Sequence, residues 1–241
     1  MIARVLRGGE CVEEGAIFTR SAPPWWALAM SKGLESPAQK TDPNEDACGV
    51  ASGGIGSLAV VADAHFGRAS AEIVVDHMLS VALQDPPPRS AMGDGEVPRW
   101  LRARLETACG RVRAQRSSTA CAVLAVVIQG HRLWWVSMGD CRLYLIRDAE
   151  SIVCNRLNNI YLGDRDKITV EEGSVNLRPG DQLILASDGL PECRYGRETL
   201  YPSDVGRCVA GLEPEAAARA LVEAALAGGG EDNIAVAVSM V

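Results

Sequence analysis

The chain has 241 residues, enough for one large domain with a sizeable core or two small ones. Hydrophobic residues at 47% and charged residues at 23% are an ordinary soluble globular balance, and a net charge of −7 offers no basic face to nucleic-acid phosphates. The longest apolar run, Thr119 to Ile128, is about half of what a membrane span needs. No secretory signal opens the chain, and none of the eight cysteines forms a C-x-x-C pair. The expectation is a cytoplasmic protein, off the membrane, with free buried thiols.

In chain order, Ala3 to Leu6, Ala16 to Thr19 and Trp25 to Met30 suggest short strands. Ser31 to Pro43 reads as loop. Cys48–Ser52 is a strand, and Gly53-Gly54-Ile55-Gly56 turns it into Ser57–Asp63. Apolar residues at helical spacing (Ala71, Val74, Val75, Met78, Leu79, Ala82) predict a helix over Arg68–Gln84, ended by Pro86-Pro87-Pro88. Pro98 opens a second helix, Arg99–Arg116, whose six arginines read as a solvated face with long stems over apolar neighbours. Ala120–Ile128, Arg132–Ser137 and Arg142–Arg147 form a meander. Ser151–Cys154 and Ile168–Glu171 suggest further strands, and Gln182–Ala186 is a core strand. Helices over Tyr201–Val209 and Pro214–Leu226 precede the last strand, Ile234–Val241. Two packed sheets with helices outside them is the economical arrangement, in one domain over 1–241 to which residues 1–24 add strands.

The functional signal is a repeated geometry. Val60-Val61-Ala62-Asp63-Ala64-His65-Phe66-Gly67 is a buried strand that ends in an acid and a tight turn into a helix. Taken alone, Asp63 could merely cap that helix. Acids stand beside core strands four more times: Glu45-Asp46, Gly139-Asp140, Asp188-Gly189 and Asp232-Asn233. Strand ends meet at the edges of a sandwich, so these carboxylates can converge. Converging carboxylates repel and need a cation or protonation. An all-oxygen ligand set favours Mg²⁺ or Mn²⁺ over zinc or copper. Two such ions can share a water, lower its pKa and offset phosphoryl charge. The residues therefore support a metal-dependent phosphate-ester hydrolase.

The ordered series Asn44-Glu45-Asp46, Asp63-Ala64-His65-Phe66-Gly67, Ser118-Thr119-Ala120, Gly139-Asp140-Cys141-Arg142, Ser187-Asp188-Gly189-Leu190-Pro191-Glu192 and Asp232-Asn233 resembles the PPM (PP2C-type) Ser/Thr protein phosphatases. The family patterns are NED, DGHGG, ST, GDSR, SDG with a following acid, and DN. The resemblance implies an α+β fold, a four-layer α-β-β-α sandwich of two mainly antiparallel sheets. It implies a protein-serine/threonine phosphatase with two Mn²⁺ or Mg²⁺ ions and a third, weaker one, acting as a monomer on a phosphorylated protein. By resemblance, Asp46 and Asp63 hold the metal pair, with Asp63 bridging, and the Ala64 carbonyl, Asp188 and Asp232 complete its shell. Glu45 holds metal-bound water, and Asp140 with Glu192 matches the third metal. Attack comes from a hydroxide bridging the two ions, and His65 is the general acid.

The departures are specific. Where the family has a phosphate-gripping arginine, this chain has Thr41 with Lys40 beside it. Lys40 offers a point charge without a bidentate fork. Ala64 replaces a glycine, which matters if that position needs a positive φ. Phe66 replaces another and puts a ring at the edge of the site, and Cys141 replaces a serine. The stretch Leu157 to Lys167 is shorter than the family's flap, which suggests a more open site. The alternatives are a pseudophosphatase that binds a phosphoprotein without turnover, a phosphatase of small phosphate esters, and a plain β-sandwich interaction domain.

Overall fold

The computed structural model describes residues 1–22, 25–35, 40–54, 56–89, 95–115, 119–164, 168–192, 198 and 200–241. Ile55, Arg116, Ser118, Lys167, Cys193 and part of the 31–43 loop, all named above, lie outside these residues. The strands are β1 (Ile2–Arg7), β2 (Phe18–Ala22), β3 (Trp26–Ser31), β4 (Asp46–Gly53), β5 (Gly56–His65), β6 (Ala120–Gln129), β7 (Arg132–Met138), β8 (Arg142–Arg147), β9 (Glu150–Val153), β10 (Glu171–Asn176), β11 (Gln182–Ala186) and β12 (Ile234–Met240). The helices are α1 (Ala69–Gln84), α2 (Glu96–Ala114), α3 (Pro202–Val209) and α4 (Pro214–Ala227).

Two six-stranded sheets form, in the orders β1-β4-β5-β6-β7-β10 and β2-β3-β12-β11-β8-β9, with antiparallel pairing throughout. Their central strands are apolar runs rather than alternating ones because both faces are covered. In β6, Val123, Ala125 and Val127 pack under α1 and α2. Their neighbours Leu124 and Val126 face the other sheet. In β12, Val236 and Val238 meet α3 and α4, while Ala235 and Ala237 face inward. Three cores stacked this way are the four layers α-β-β-α.

Residues 1–22 supply an edge strand to each sheet, since β1 pairs with β4 and β2 with β3. They also brace the acidic end. A Cβ on Gly8 would stand 2.1 Å from the Asn44 carbonyl oxygen, and the Asn44 amide donates to the Cys11 carbonyl at 3.0 Å.

Two strands fall later in the chain than the sequence pattern suggests. The expected Ala16–Thr19 strand is Phe18–Ala22, and the expected Ile168–Glu171 strand is Glu171–Asn176. β10 is a polar edge strand that buries no apolar run. It is set by pairing with β7, where Gly173 lies under the Trp135 ring, and Ile168 and Val170 instead pack on the helix-side core. The arginines of α2 do face outward. Arg99, Arg102 and Arg104 pair with Glu96, Glu172 and Asp85. None of the described cysteines forms a disulfide. Among the described residues, no helix is long and apolar enough to cross a membrane.

Candidate functional site

Strand alternation puts Asp46 (with Cys48 and Val50) and Asp63 (with Ala59 and Val61) on the face between the sheets. The β4–β5 register then sets Asp46 directly opposite Asp63. Like charges placed so are unfavourable without a counter-ion. From the other sheet, Asp188 follows β11 and Asp232 precedes β12. Asp140 lies on the turn between β7 and β8. Oxygens of Asp63, Asp140 and Asp188 all lie within 4.8 Å of one another.

The carboxyls respond as crowded acids do. Burial, opposed by Lys40 and a hydrogen bond from Ser187, pushes Asp46 up to about 7. Burial followed by Asp232, Asp140 and Asp46 pushes Asp188 up to about 8. Burial followed by Asp188, Asp46 and Asp232 raises Asp63 well above the ordinary carboxylate range. Asp46 Oδ1 and Asp140 Oδ1 are buried and accept no hydrogen bond from the described residues. Acceptor-only oxygens that converge without donors are the surroundings a divalent cation fits.

Ser187 and Asn233 join the two sheets across this site. The Ser187 hydroxyl donates to Asp46 Oδ2 at 2.7 Å and accepts the Ala235 N–H at 2.9 Å. Asn233 Oδ1 accepts from Lys40 Nζ at 2.8 Å and from the Glu45 N–H at 2.9 Å, and its amide donates to the carbonyls of Lys32 and Pro43. Sequence reasoning assigned neither side chain a role. Their signal was membership of the Ser187-Asp188-Gly189 and Asp232-Asn233 motifs.

The glycine of the Ser187-Asp188-Gly189 turn has a steric reason. A Cβ there would sit 1.9 Å from the Asn233 carbonyl oxygen. Gly189→Ala is therefore expected to destabilise the fold by about 2–3 kcal/mol, the cost of overpacking a fixed backbone. Urea unfolding measures it, and an unchanged midpoint would show that this contact yields.

The remaining predicted residues are placed as follows. Glu45 is buried, and its Oε1 accepts the N–H groups of Thr41 and Asp42 at 3.1 Å each, which holds the loop before β4. Thr41 itself is exposed. The Lys40 ammonium ion-pairs with Asp232 rather than standing free. Burial pulls its pKa down, but Asp232, Asp46 and Asp63 outweigh that and leave it raised. Glu192 lies outside the three-carboxylate group, and its Oε1 stands 3.8 Å from the Arg142 guanidinium. Cys141 is fully buried, and burial, then Asp63 and Asp140, raises its thiol well above the usual value. Ala64 is buried in extended β5, so the glycine-to-alanine change there carries no strain. The positive φ values fall two and three residues later, on Phe66 (+64°) and Gly67 (+115°).

His65 is the last residue of β5, paired with Ala120. Its Nε2 is buried with no hydrogen-bond partner among the described residues, unlike a turn histidine tied to backbone. Tyr161 packs edge-on against its ring, with centroids 4.6 Å apart and planes at 83°, and donates its hydroxyl to Asp140 Oδ2 at 3.2 Å. Tyr161 belongs to the short connection that the sequence suggested would leave the site open. The described part of that connection is pinned down. Asn158 Oδ1 accepts the N–H groups of Gly139 and Ile160, and Leu162 exchanges two backbone hydrogen bonds with Cys121.

Residues 74–240 match the family model of stage II sporulation protein E (SpoIIE), and the chain belongs to that family, among the PP2C-type (PPM) phosphatases. It is similar to the serine/threonine protein phosphatase PstP of Mycobacterium tuberculosis, 29% identical over 222 residues, covering 76% of this chain and 40% of that protein. The chain thus spans about two fifths of the length of the curated relatives it matches. Its fold is shared with a bacterial serine phosphatase carrying a point mutation (TM-score 0.78, 16% identity, 92% of this chain and 100% of that one). It is also shared with the catalytic domain of PstP in complex with two manganese ions (TM-score 0.72, 22% identity, 93% and 99%). A third fold relative is PppA, a key regulatory component of T6SS in Pseudomonas aeruginosa (TM-score 0.71, 22% identity, 93% and 98%).

Proposed function

We propose that this chain is a Mn²⁺- or Mg²⁺-dependent phosphatase of phosphoserine and phosphothreonine in proteins. The observation that carries the reading is the convergence of Asp63, Asp140 and Asp188 from two sheets, with Asp46 directly opposite Asp63, while Asp46 Oδ1, Asp140 Oδ1 and His65 Nε2 are buried with no hydrogen-bond partner among the described residues. Asp46, Asp63, Asp188, Asp232 and the Ala64 carbonyl are the groups that would hold a pair of cations. Asp140 is the group for a third, with Glu192 its weaker companion. When bound, the cations supply Lewis acidity that acidifies a water and offsets phosphoryl charge.

The chain's own residues do the rest. Ser187 fixes Asp46, and Asn233 fixes the Glu45 backbone, so the carboxylates keep their positions before substrate arrives. His65 delivers a proton from Nε2 to the seryl or threonyl oxygen as its bond to phosphorus breaks. Tyr161 packs edge-on against the imidazole while its hydroxyl donates to Asp140, which links the ring to the carboxylates. Lys40 is the counter-ion of Asp232 in the absence of a divalent cation and the nearest ammonium for the substrate phosphate once displaced. The absence of disulfides among the described cysteines suits a reducing cytoplasm, and a single-domain monomer is the form in which we expect it to act.

The test is hydrolysis with and without Mn²⁺ of an aryl phosphate, a phosphothreonine peptide and small metabolite phosphates. His65→Ala is expected to cost about 10²–10³-fold on the peptide, whose alkoxide leaving group needs a proton. On the aryl ester, whose leaving group needs none, the cost should be under about tenfold. Absence of Mn²⁺-dependent turnover in the wild type would instead leave a phosphoprotein-binding module. Faster metabolite turnover would favour small esters, and equal losses on both substrates would remove His65 as the acid.

A further inference from the structure

The turn that carries His65 holds a residue that neither packing nor the chemistry of the carboxylates explains. Phe66 is 73% exposed, the most exposed large apolar side chain among the described residues. It sits at φ +64°, in the left-handed region that disfavours a side chain with a Cβ, and most of all a bulky one. Glycine would relieve that strain and serve the strand-to-helix turn equally well.

The conformation is enforced from both sides. β5 pairing runs through His65 on one side. On the other, the Arg68 N–H donates to Asp42 Oδ2 at 3.0 Å, and the Arg68 guanidinium meets Asp42 Oδ1 at 2.7 Å. Between them Gly67 lies against Thr119, Asp42 and Thr41. The backbone is thus fixed with the ring left in water. Strain kept by surrounding structure next to reacting groups is a recurrent mark of functional positions. An exposed aromatic ring without a packing role is a contact surface waiting for a partner. Phe66 directly follows His65, at the end of the strand that carries Asp63, so the ring stands one residue from the proposed acid.

We propose that Phe66 is a specificity-determining residue whose ring docks the substrate peptide, selecting phosphoproteins with an apolar side chain next to the phosphorylated Ser or Thr. The proposal rests on the phosphatase reading above and adds the substrate class to it. The flanking side chain covers the ring while the phosphate lies over the carboxylates. The neighbouring cation, Arg68, is spent on Asp42 and Glu72, so the turn offers no opposing charge for an acidic flank.

The test is a pair of phosphothreonine peptides of equal length and charge, one with Leu and one with Ser beside the phosphorylated residue, assayed with Mn²⁺. The wild type is expected to prefer the Leu peptide about tenfold in kcat/KM. Phe66→Ala, which keeps the strained Cβ and removes the ring, should bring that ratio near one, and Phe66→Leu should retain most of it. Phe66→Gly should lose the preference and also raise Tm by about 2–4 °C, since it alone relieves the backbone. A wild-type ratio near one, or a ratio unchanged in Phe66→Ala, overturns the proposal. Failure of the wild type to hydrolyse either peptide overturns the phosphatase reading instead. Fluorescence anisotropy of the labelled peptides then decides on Phe66: weaker Leu-peptide binding by Phe66→Ala sustains it, and equal binding overturns it.

Discussion

Asp188→Ala is expected to lower Mn²⁺-dependent kcat/KM by about 10³-fold, equivalent to about 4 kcal/mol of lost transition-state stabilisation. The same substitution should make the cation-free protein more stable at pH 8. Both effects have one cause. Asp188 is crowded by Asp63 and Asp140, and burial with Asp232, Asp140 and Asp46 already pushes its carboxyl up to about 8. With a cation the charge is required, and without one it is a liability. Thermal unfolding of wild type and variant, in chelator and in Mn²⁺, reads both effects. The variant should unfold several degrees higher in chelator and gain less from Mn²⁺. A variant that keeps Mn²⁺-dependent turnover would show that the cation sits elsewhere.

The second large effect is on pH. Asp46 and Asp188 titrate near pH 7 and 8 in the folded protein, and Asp63 is also raised, against about 4 in the unfolded chain. Between those limits the folded state binds more protons than the unfolded state, so stability falls as pH rises from about 4 to 8. Below about pH 4 both states are protonated and these groups contribute nothing further.

Two other groups act differently. Burial raises Asp181, but its bonds to Arg147 and the Arg178 N–H prevail and leave it lowered. Its contribution is lost only as pH falls below the unfolded value. Burial, with Arg111 and Arg104, lowers His77. The unfolded state then binds the extra proton, so His77 opposes the trend just below pH 6.5 alone.

In chelator the net fall from pH 5 to pH 8 should be about 3–5 kcal/mol, or on the order of 10 °C in Tm for a chain of this size. Saturating Mn²⁺ should remove most of it, because a cation binds the ionised acids of the folded state only. Calorimetry at the two pH values gives the answer. Stability that is flat or rises from pH 5 to pH 8 in chelator would mean that the acids do not share one enclosure.

The sequence by itself determined the layers and the acid positions. Apolar runs such as Ala120–Ile128 are too uniform for a half-exposed strand, and acids at their ends have no apolar reason to be there. The ordered motifs made the family legible without coordinates. Strand β10 was not legible, because Glu171–Asn176 carries no burial pattern and is held by pairing with β7 alone. Nor was the work of Asn233 and Ser187, whose partners lie up to about 200 residues away in the chain. The stretch Leu157 to Lys167 read as a shortened flap, and only the packing of its described part on Cys121 and Gly139 shows that it brings Tyr161 onto His65. The turn after Asp63 divides along the same line. Its residue types mark a site, whereas which residue takes the positive φ depends on how far β5 stays paired before α1 begins. Pairing through His65 keeps Ala64 extended and passes the strain to Phe66. Local chemistry is written residue by residue, but strain, pairing and long-range hydrogen bonds exist only once distant segments meet.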